Sequence, residues 1–317
     1  MSDASQTERN YSLDDSVPFV SVIIPVFNDA KRLRSCLEAL VAQNYPAGRW
    51  EVIVVDNGSQ DNVRSVVESF EFCQFAEAKK AGSYAARNCG LDLARGELVA
   101  FTDADCIPNE NWLSEGVRLL MDNAACGFVG GRVEILPSDM RRPTAVELYD
   151  MLFGLQQQLN IARFDHAATA NMLTRREIFK RFGRFDDAVK SGGDAEWGQR
   201  VTAGGYPGVY SQEAVVRHPA RREWTAILRQ TRRHAGGRFD RHRISDPYRY
   251  GSARFWRVVW MRFFPNVGRM RHARRRLSAL GYGVSDWLKV CAVALVLQYA
   301  SAVEFVTKWL GSSSERR

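Results

Sequence analysis

No uncharged apolar run in the 317 residues reaches the roughly twenty that a membrane-spanning helix requires. The run Val290 to Val303 stops at fourteen. Cysteine is sparse. The six present (Cys36, Cys73, Cys89, Cys106, Cys126 and Cys291) include no C-x-x-C pair and no regular framework, which excludes a zinc knuckle and a secreted disulfide scaffold and points to a reducing compartment. No G-x-G-x-x-G follows the first apolar run, and no G-x-x-x-x-G-K-[ST] occurs anywhere. A dinucleotide fold and a P-loop both lack their phosphate cradle here. Lysine is missing altogether between residues 217 and 276.

What is present is a chain 45% hydrophobic, long enough to bury a large core. Residues 1–17 are polar and carry Asp3, Glu8, Asp14 and Asp15. They read as a disordered tail rather than a signal peptide or anchor, so the body is expected in the cytoplasm. Charge is uneven. Residues 217 to 276 hold eighteen arginines against Glu223, Asp240 and Asp246, a net +15 in a chain of +8 overall, leaving −7 for the rest. So basic a stretch fits a polyanionic partner, and arginine favours bidentate phosphate contacts. A solvated helix face is the plainer alternative.

The first half alternates strand and helix signals. Phe19 to Val26 and Trp50 to Val55 are continuous and β-branched, which suits strands buried on both faces. Between them a helix from Ala30 to Ala42 follows Asn28 or Asp29 as cap, and Asp61 or Asn62 caps another through Phe70. A glycine-containing loop, Lys79 to Gly82, leads to a helix from Ser83 to Ala94, then to the strand Leu98 to Phe101. This order predicts parallel βαβ units.

Acids fall where those strands end. Asp56 closes the second, and Asp103-Ala104-Asp105 follows the fourth apolar run. The carboxyl edge of an open α/β sheet is where ligands bind, and oxygen donors there suit a hard cation. Lys79 and Arg87 lie on the loop and helix facing the same edge, placed to neutralise a diphosphate. Asp56 is equally a turn residue, and a bare D-x-D is equally a solvated turn.

Together, the ordered runs Val22 to Asn28, Val54 to Ser59, Gly82 to Gly90, Asp103 to Asp105, Gly183 to Asp186 and Gly193 to Trp197 resemble the inverting family 2 glycosyltransferases of the GT-A fold. The resemblance covers roughly residues 19 to 218. It implies a mostly parallel sheet between helices, a GT-A catalytic domain at 18–220, and transfer of a sugar from a nucleoside-diphosphate sugar, a UDP-sugar being favoured. Carried across, it implies that Asp56 binds base or ribose, with Pro25 and Phe27 shaping that pocket, and that Arg87 and Lys79 lie near the nucleotide. Asp103 would contact the ribose or metal side, and Asp105 would ligate Mg²⁺ or Mn²⁺. Asp194 matches the family's base, while Gly193 stands where the family has another acid. Independently, inversion needs a base to take the acceptor hydroxyl's proton, and Asp194 at a helix start is placed for that or is simply a helix cap. Glu196 and Trp197 are assigned to the acceptor, the aromatic face suiting a pyranose ring.

The remainder, 221–317, is expected to be an Arg-rich α-helical extension on the membrane. His218 is a candidate metal or diphosphate ligand. Gln230 and Arg233 carry the Q-x-x-R spacing used beside the acceptor in processive relatives, with His234 in place of a tryptophan. Phe255 to Phe264 interleaves arginine with large aromatics, the composition of an interfacial helix. The expected partners are therefore a glycan or lipid-linked acceptor and an anionic membrane surface, on the inner face of the cell membrane, in envelope polysaccharide or glycolipid synthesis. A nucleotidyltransferase, which releases pyrophosphate, is the enzyme alternative. A non-catalytic relative binding nucleic acid or membrane is the alternative of another class, although nucleic acid is disfavoured as a partner.

Overall fold

The computed structural model describes residues 17–189, 191–245, 252–261, 264 and 266–311; the expected tail at 1–16 lies outside them. The first half folds as its pattern predicts. Strands β1 (Val20–Val26), β2 (Trp50–Asp56), β3 (Cys73–Glu77) and β4 (Leu98–Thr102) pair in parallel, separated along the chain by α1 (Ala30–Val41), α2 (Val63–Glu68) and α3 (Ser83–Leu93). Strand alternation divides their side chains between two cores. Val22, Ile24, Val52, Val54 and Ala100 pack on one face, whereas Ile23, Ile53, Val55, Val99 and Phe101 pack on the other. Burial on both faces explains the continuous β-branched runs. Gly90 lets α3 lie close against the sheet, since a Cβ there would meet Ile23 Cγ2 at 2.5 Å.

The second half widens the sheet. It adds β5 (Ile107–Pro108), α4 (Trp112–Asp122), β6 (Phe128–Leu136), α5 (Ala145–Phe153), α6 (Gln157–Phe164), β7 (Asn171–Arg175), α7 (Arg176–Phe182), α8 (Gly193–Ala203) and β8 (Gly208–Pro219). The order across the eight strands is β3-β2-β1-β4-β7-β6-β8-β5. β7 runs antiparallel to β4 and β6, and β8 runs parallel to β6. The carboxyl ends of β1, β2, β4, β6 and β8 thus share one edge.

The chain finishes in helices α9 (Trp224–Ser245), α10 (Ala253–Met261), α11 (Val267–Ala279) and α12 (Val284–Trp309). The expected helical extension is therefore present. Val146 of α5, Ile227 of α9, and Val293 and Leu297 of α12 form one cluster that ties these helices together. Leu148 and Leu152 join Ala273, Leu277 and Val290 in a second. The buried Asp150 takes the backbone N–H and the guanidinium of Arg221 at 2.8–3.2 Å, clamping the start of this layer to α5.

Candidate active site

The loop after β1 is built on Asn28, a non-glycine residue in the left-handed region (φ 51°). Its backbone N–H donates to Ser59 Oγ at 2.8 Å, and its Oδ1 accepts from the Gln60 N–H at 2.7 Å. Neither expected N-cap makes its own cap. Asp61 Oδ2 instead accepts from Ala30 N–H at 2.8 Å, capping α1 from the neighbouring loop. These bonds join the two loops at the carboxyl edge and leave Phe27 exposed and Pro25 half-buried between them. Asp56 is buried and accepts from the Ser59 N–H at 3.1 Å. Asn57 orders the next loop, accepting from the Gly82 N–H at 2.7 Å and donating to the Lys80 carbonyl. Lys79 is exposed on that loop, whereas Lys80 pairs with Asp187 at 2.6 Å.

Asp103 accepts from the guanidinium of the buried Arg87, whose Cζ lies 5.7 Å from the centroid of the Tyr84 ring. The Tyr84 hydroxyl in turn donates to Asp194 Oδ1 at 2.9 Å. Asp103 and Asp194, 91 positions apart in sequence, are thus joined through two side chains of α3. Burial, and then the Asp194 charge, push the Tyr84 phenol well above its ordinary range, so it stays protonated and can donate.

β5 pairs with the end of β8, Ile107 opposite Arg217, and this brings His218 to Asp105. His218 Nε2 stands 3.6 Å from Asp105 Oδ2. Its Nδ1 faces the Pro219 carbonyl at 2.8 Å, which can only accept, so Nδ1 donates there and Nε2 is the ring nitrogen turned towards the carboxylate. A carboxylate oxygen and an imidazole nitrogen facing each other at that distance can share a cation through the Nε2 lone pair. Cys106 is the third potential donor in reach, within 4.8 Å. Burial and then the Asp103 charge raise its thiol far above the ordinary range, keeping it protonated. The usable set is one carboxylate oxygen and one imidazole nitrogen, with Arg32 alongside at 3.7 Å. That donor set accommodates Mg²⁺ or Mn²⁺ rather than a thiolate-bound metal.

α9 closes the other side of the site. Gly237 lets it approach the Ser191 turn, since a Cβ there would stand 2.8 Å from the Ser191 carbonyl oxygen. Arg233 and His234 line the cleft, open to solvent yet surrounded by protein on most sides. Arg233 lies within electrostatic reach of Tyr84, Asp103 and Asp194, and its crowding lowers its pKa. The same crowding, reinforced by Arg233 and Arg238, holds His234 down to about 4, so it is neutral at physiological pH. Gln230, one turn back from His234, is half-buried.

One assignment to the acceptor, Trp197, needs correction. Trp197 is fully buried; it stacks on Phe179 with ring centroids 4.5 Å apart and donates to the Gly183 carbonyl at 3.0 Å. Its faces are used in packing, so it is not a sugar platform. Both oxygens of Glu196 are engaged by Arg200 at 2.9 and 3.0 Å, and Arg200 also reaches the carbonyls of Phe182 and Arg184. Glu196 therefore braces α8 against the end of α7. Tyr84, Arg32 and Arg221 belong to no motif that marks them in the sequence. Tyr84 did carry a signal, as a lone phenol in the first turn of the glycine-bounded helix.

Acids collected at the carboxyl edge of a largely parallel sheet, without a glycine phosphate loop, define a nucleotide-sugar transferase architecture. The chain matches the model of glycosyl transferase family 2 over residues 21–183, and it belongs to that family. It is 37% identical over 214 residues to the glycosyltransferase AglE of Haloferax volcanii, covering 66% of this chain and 69% of that protein. It is 26% identical over 141 residues, 41% of this chain and 44% of the relative, to a dolichyl N-acetyl-alpha-D-glucosaminyl phosphate 3-beta-D-2,3-diacetamido-2,3-dideoxy-beta-D-glucuronosyltransferase of Methanococcus voltae. In three dimensions it resembles a mannosyltransferase of Pyrobaculum calidifontis solved with GDP-Man and Mn²⁺. That likeness has a TM-score of 0.63 and 20% identity, and covers 92% of this chain and 88% of the other. The GT-A fold expected from the motifs is the fold adopted.

Proposed function

We propose that this glycosyltransferase moves a sugar, with inversion and with a divalent metal, from a nucleoside-diphosphate sugar to a membrane-presented, lipid-linked glycan acceptor. The observation that carries this reading is the path Asp103–Arg87–Tyr84–Asp194, which sets the nucleotide edge and the candidate base on one cleft. The base ring and ribose would lie against Pro25, Phe27 and Asp56, with Asp103 and Lys79 towards the ribose and diphosphate. Asp105 and His218 would hold the metal. When bound, Mg²⁺ or Mn²⁺ supplies positive charge to the leaving diphosphate.

Asp194 takes the proton of the acceptor hydroxyl as that oxygen bonds to the anomeric carbon. The bond from that carbon to the diphosphate oxygen breaks on the opposite side, so the anomeric configuration inverts. Arg233 and Gln230 line the acceptor side, where the arginine's charge suits a phosphate-bearing acceptor. The lipid-linked substrate named for the Methanococcus voltae relative supports this acceptor class.

The test is thermal unfolding with Mn²⁺ and a panel of UDP, GDP and other nucleoside diphosphates, alongside product analysis. A cognate nucleotide at a hundred times its dissociation constant stabilises by about 2.7 kcal/mol, and Asp105→Ala or His218→Ala removes the metal-dependent part. Asp194→Asn keeps the nucleotide shift and loses transfer. Wild-type turnover by Asp194→Asn would remove it as the base, and release of pyrophosphate would install the nucleotidyltransferase alternative.

A further inference from the structure

Asp194 follows a glycine-rich turn. Ser191-Gly192-Gly193 offers one side chain, and Gly192 is in the left-handed region at φ 81°. α8 starts without a side-chain cap. Two of the bonds that fix this turn come from Tyr84. Its hydroxyl accepts from the Gly192 N–H at 3.2 Å while donating to Asp194 Oδ1 at 2.9 Å. The same carboxylate oxygen takes the Ala195 N–H at 2.9 Å. Gly193 is bare because the Tyr84 ring occupies its space: a Cβ there would stand 3.0 to 3.1 Å from three ring atoms. The ring is buried and wedged against Phe185, with centroids 5.7 Å apart, so the hydroxyl has little freedom to move.

Resting on the reading of Asp194 as base, we propose that Tyr84 is its positioning residue, the phenol filling the space above Gly193 and aiming the Asp194 carboxylate into the cleft. A carboxylate held by one phenol and one backbone N–H on the same oxygen presents its other oxygen, Oδ2, for the acceptor hydroxyl. The charged and titratable groups facing this pair are Arg87 from α3, Arg233 and His234 from α9, and Arg221 and Asp103 beyond them.

Tyr84→Phe keeps the ring and deletes the hydroxyl. Expected is a folded protein with unchanged donor KM and a kcat reduced roughly tenfold to a hundredfold by misplacement of the base. A purely structural tyrosine would lower the folded fraction and leave kcat per folded enzyme where it is. Wild-type kcat in a folded Tyr84→Phe, with Asp194→Asn inactive, would overturn the positioning role and leave the base intact. An active Asp194→Asn would instead overturn the base. If Tyr84→Phe does not fold, the contact is read from the other partner by ¹³C-tyrosine NMR of Asp194→Asn. There the Tyr84 phenol is expected to ionise at lower pH than in the wild type, and an unchanged titration overturns the proposal.

Discussion

Trp197 shows how far a single residue type can be interpreted without its neighbours. An aromatic three positions after a candidate base suits a sugar platform, but the partners that decide the matter are far away in sequence. Phe128, Phe179 and Phe185 surround Trp197, and Phe101 packs on Phe179 and Phe185 in the same cluster. No local spacing reveals that convergence. The prediction belongs at this scale: Trp197→Ala destabilises by about 3–5 kcal/mol, measured by denaturant unfolding. Acceptor KM should change no more than loss of folded protein explains. A stable variant with acceptor KM raised tenfold or more would return Trp197 to the acceptor site.

At the scale of elements, legibility follows burial. β1, β2 and β4 are buried on both faces and write their β-branched runs plainly into the sequence. β3 is a half-exposed edge strand of sequence Cys-Gln-Phe-Ala-Glu, with no run to notice, and β5 spans two residues. The site suffered likewise. Asp56 was legible because it ends a strand, and Asp103 and Asp105 because they follow one, while the meeting of His218 with Asp105 depends on the register of β5 against β8. Capping shows the same dependence on distant chain. Asp29 stands at the N-cap of α1 but turns its carboxylate to Arg32 at 2.7–2.9 Å rather than to the helix's first N–H groups, and Asp61 serves the helix from across the edge. Asp61→Ala should therefore lower stability by about 1 kcal/mol. It should also raise donor KM, because the loop bearing Phe27 and Asn28 loses one of its ties to the β2 loop. Asp29→Ala should cost less than Asp61→Ala, and denaturant midpoints with donor titrations compare them; the reverse ranking would refute the cross-cap.

For the whole molecule, the question is what lies against the helical layer. The sequence pointed to Phe255–Phe264, but that stretch divides. Val259 is buried in a cluster with Phe239 and Phe305, and Trp256 packs against Trp309, whereas Trp260 and Met261 face outward; Arg254, Phe255, Val258, Arg262 and Phe263 have no described side chains. The larger apolar face belongs to α12. Its 26 residues make it long and apolar enough to cross a membrane, with a third of its most apolar window buried. Leu288, Leu295, Val296, Tyr299 and Val303 are exposed along it. Beside its start, Arg271, Arg274 and Arg275 of α11 line an open hollow of about 470 Å³. Apolar and basic groups side by side match the acyl and phosphate levels of an anionic bilayer surface. Replacing the three arginines with glutamine should weaken binding to phosphatidylglycerol vesicles by about 1 kcal/mol each, an effect that fades as salt rises. Leu295→Ser with Val303→Ser should weaken binding at every salt concentration. Donor binding should survive both sets, since neither touches the cleft. Vesicle co-sedimentation distinguishes the two contributions. Wild-type vesicle binding by both variants would remove the bilayer from this face and leave the arginines as a solvated surface.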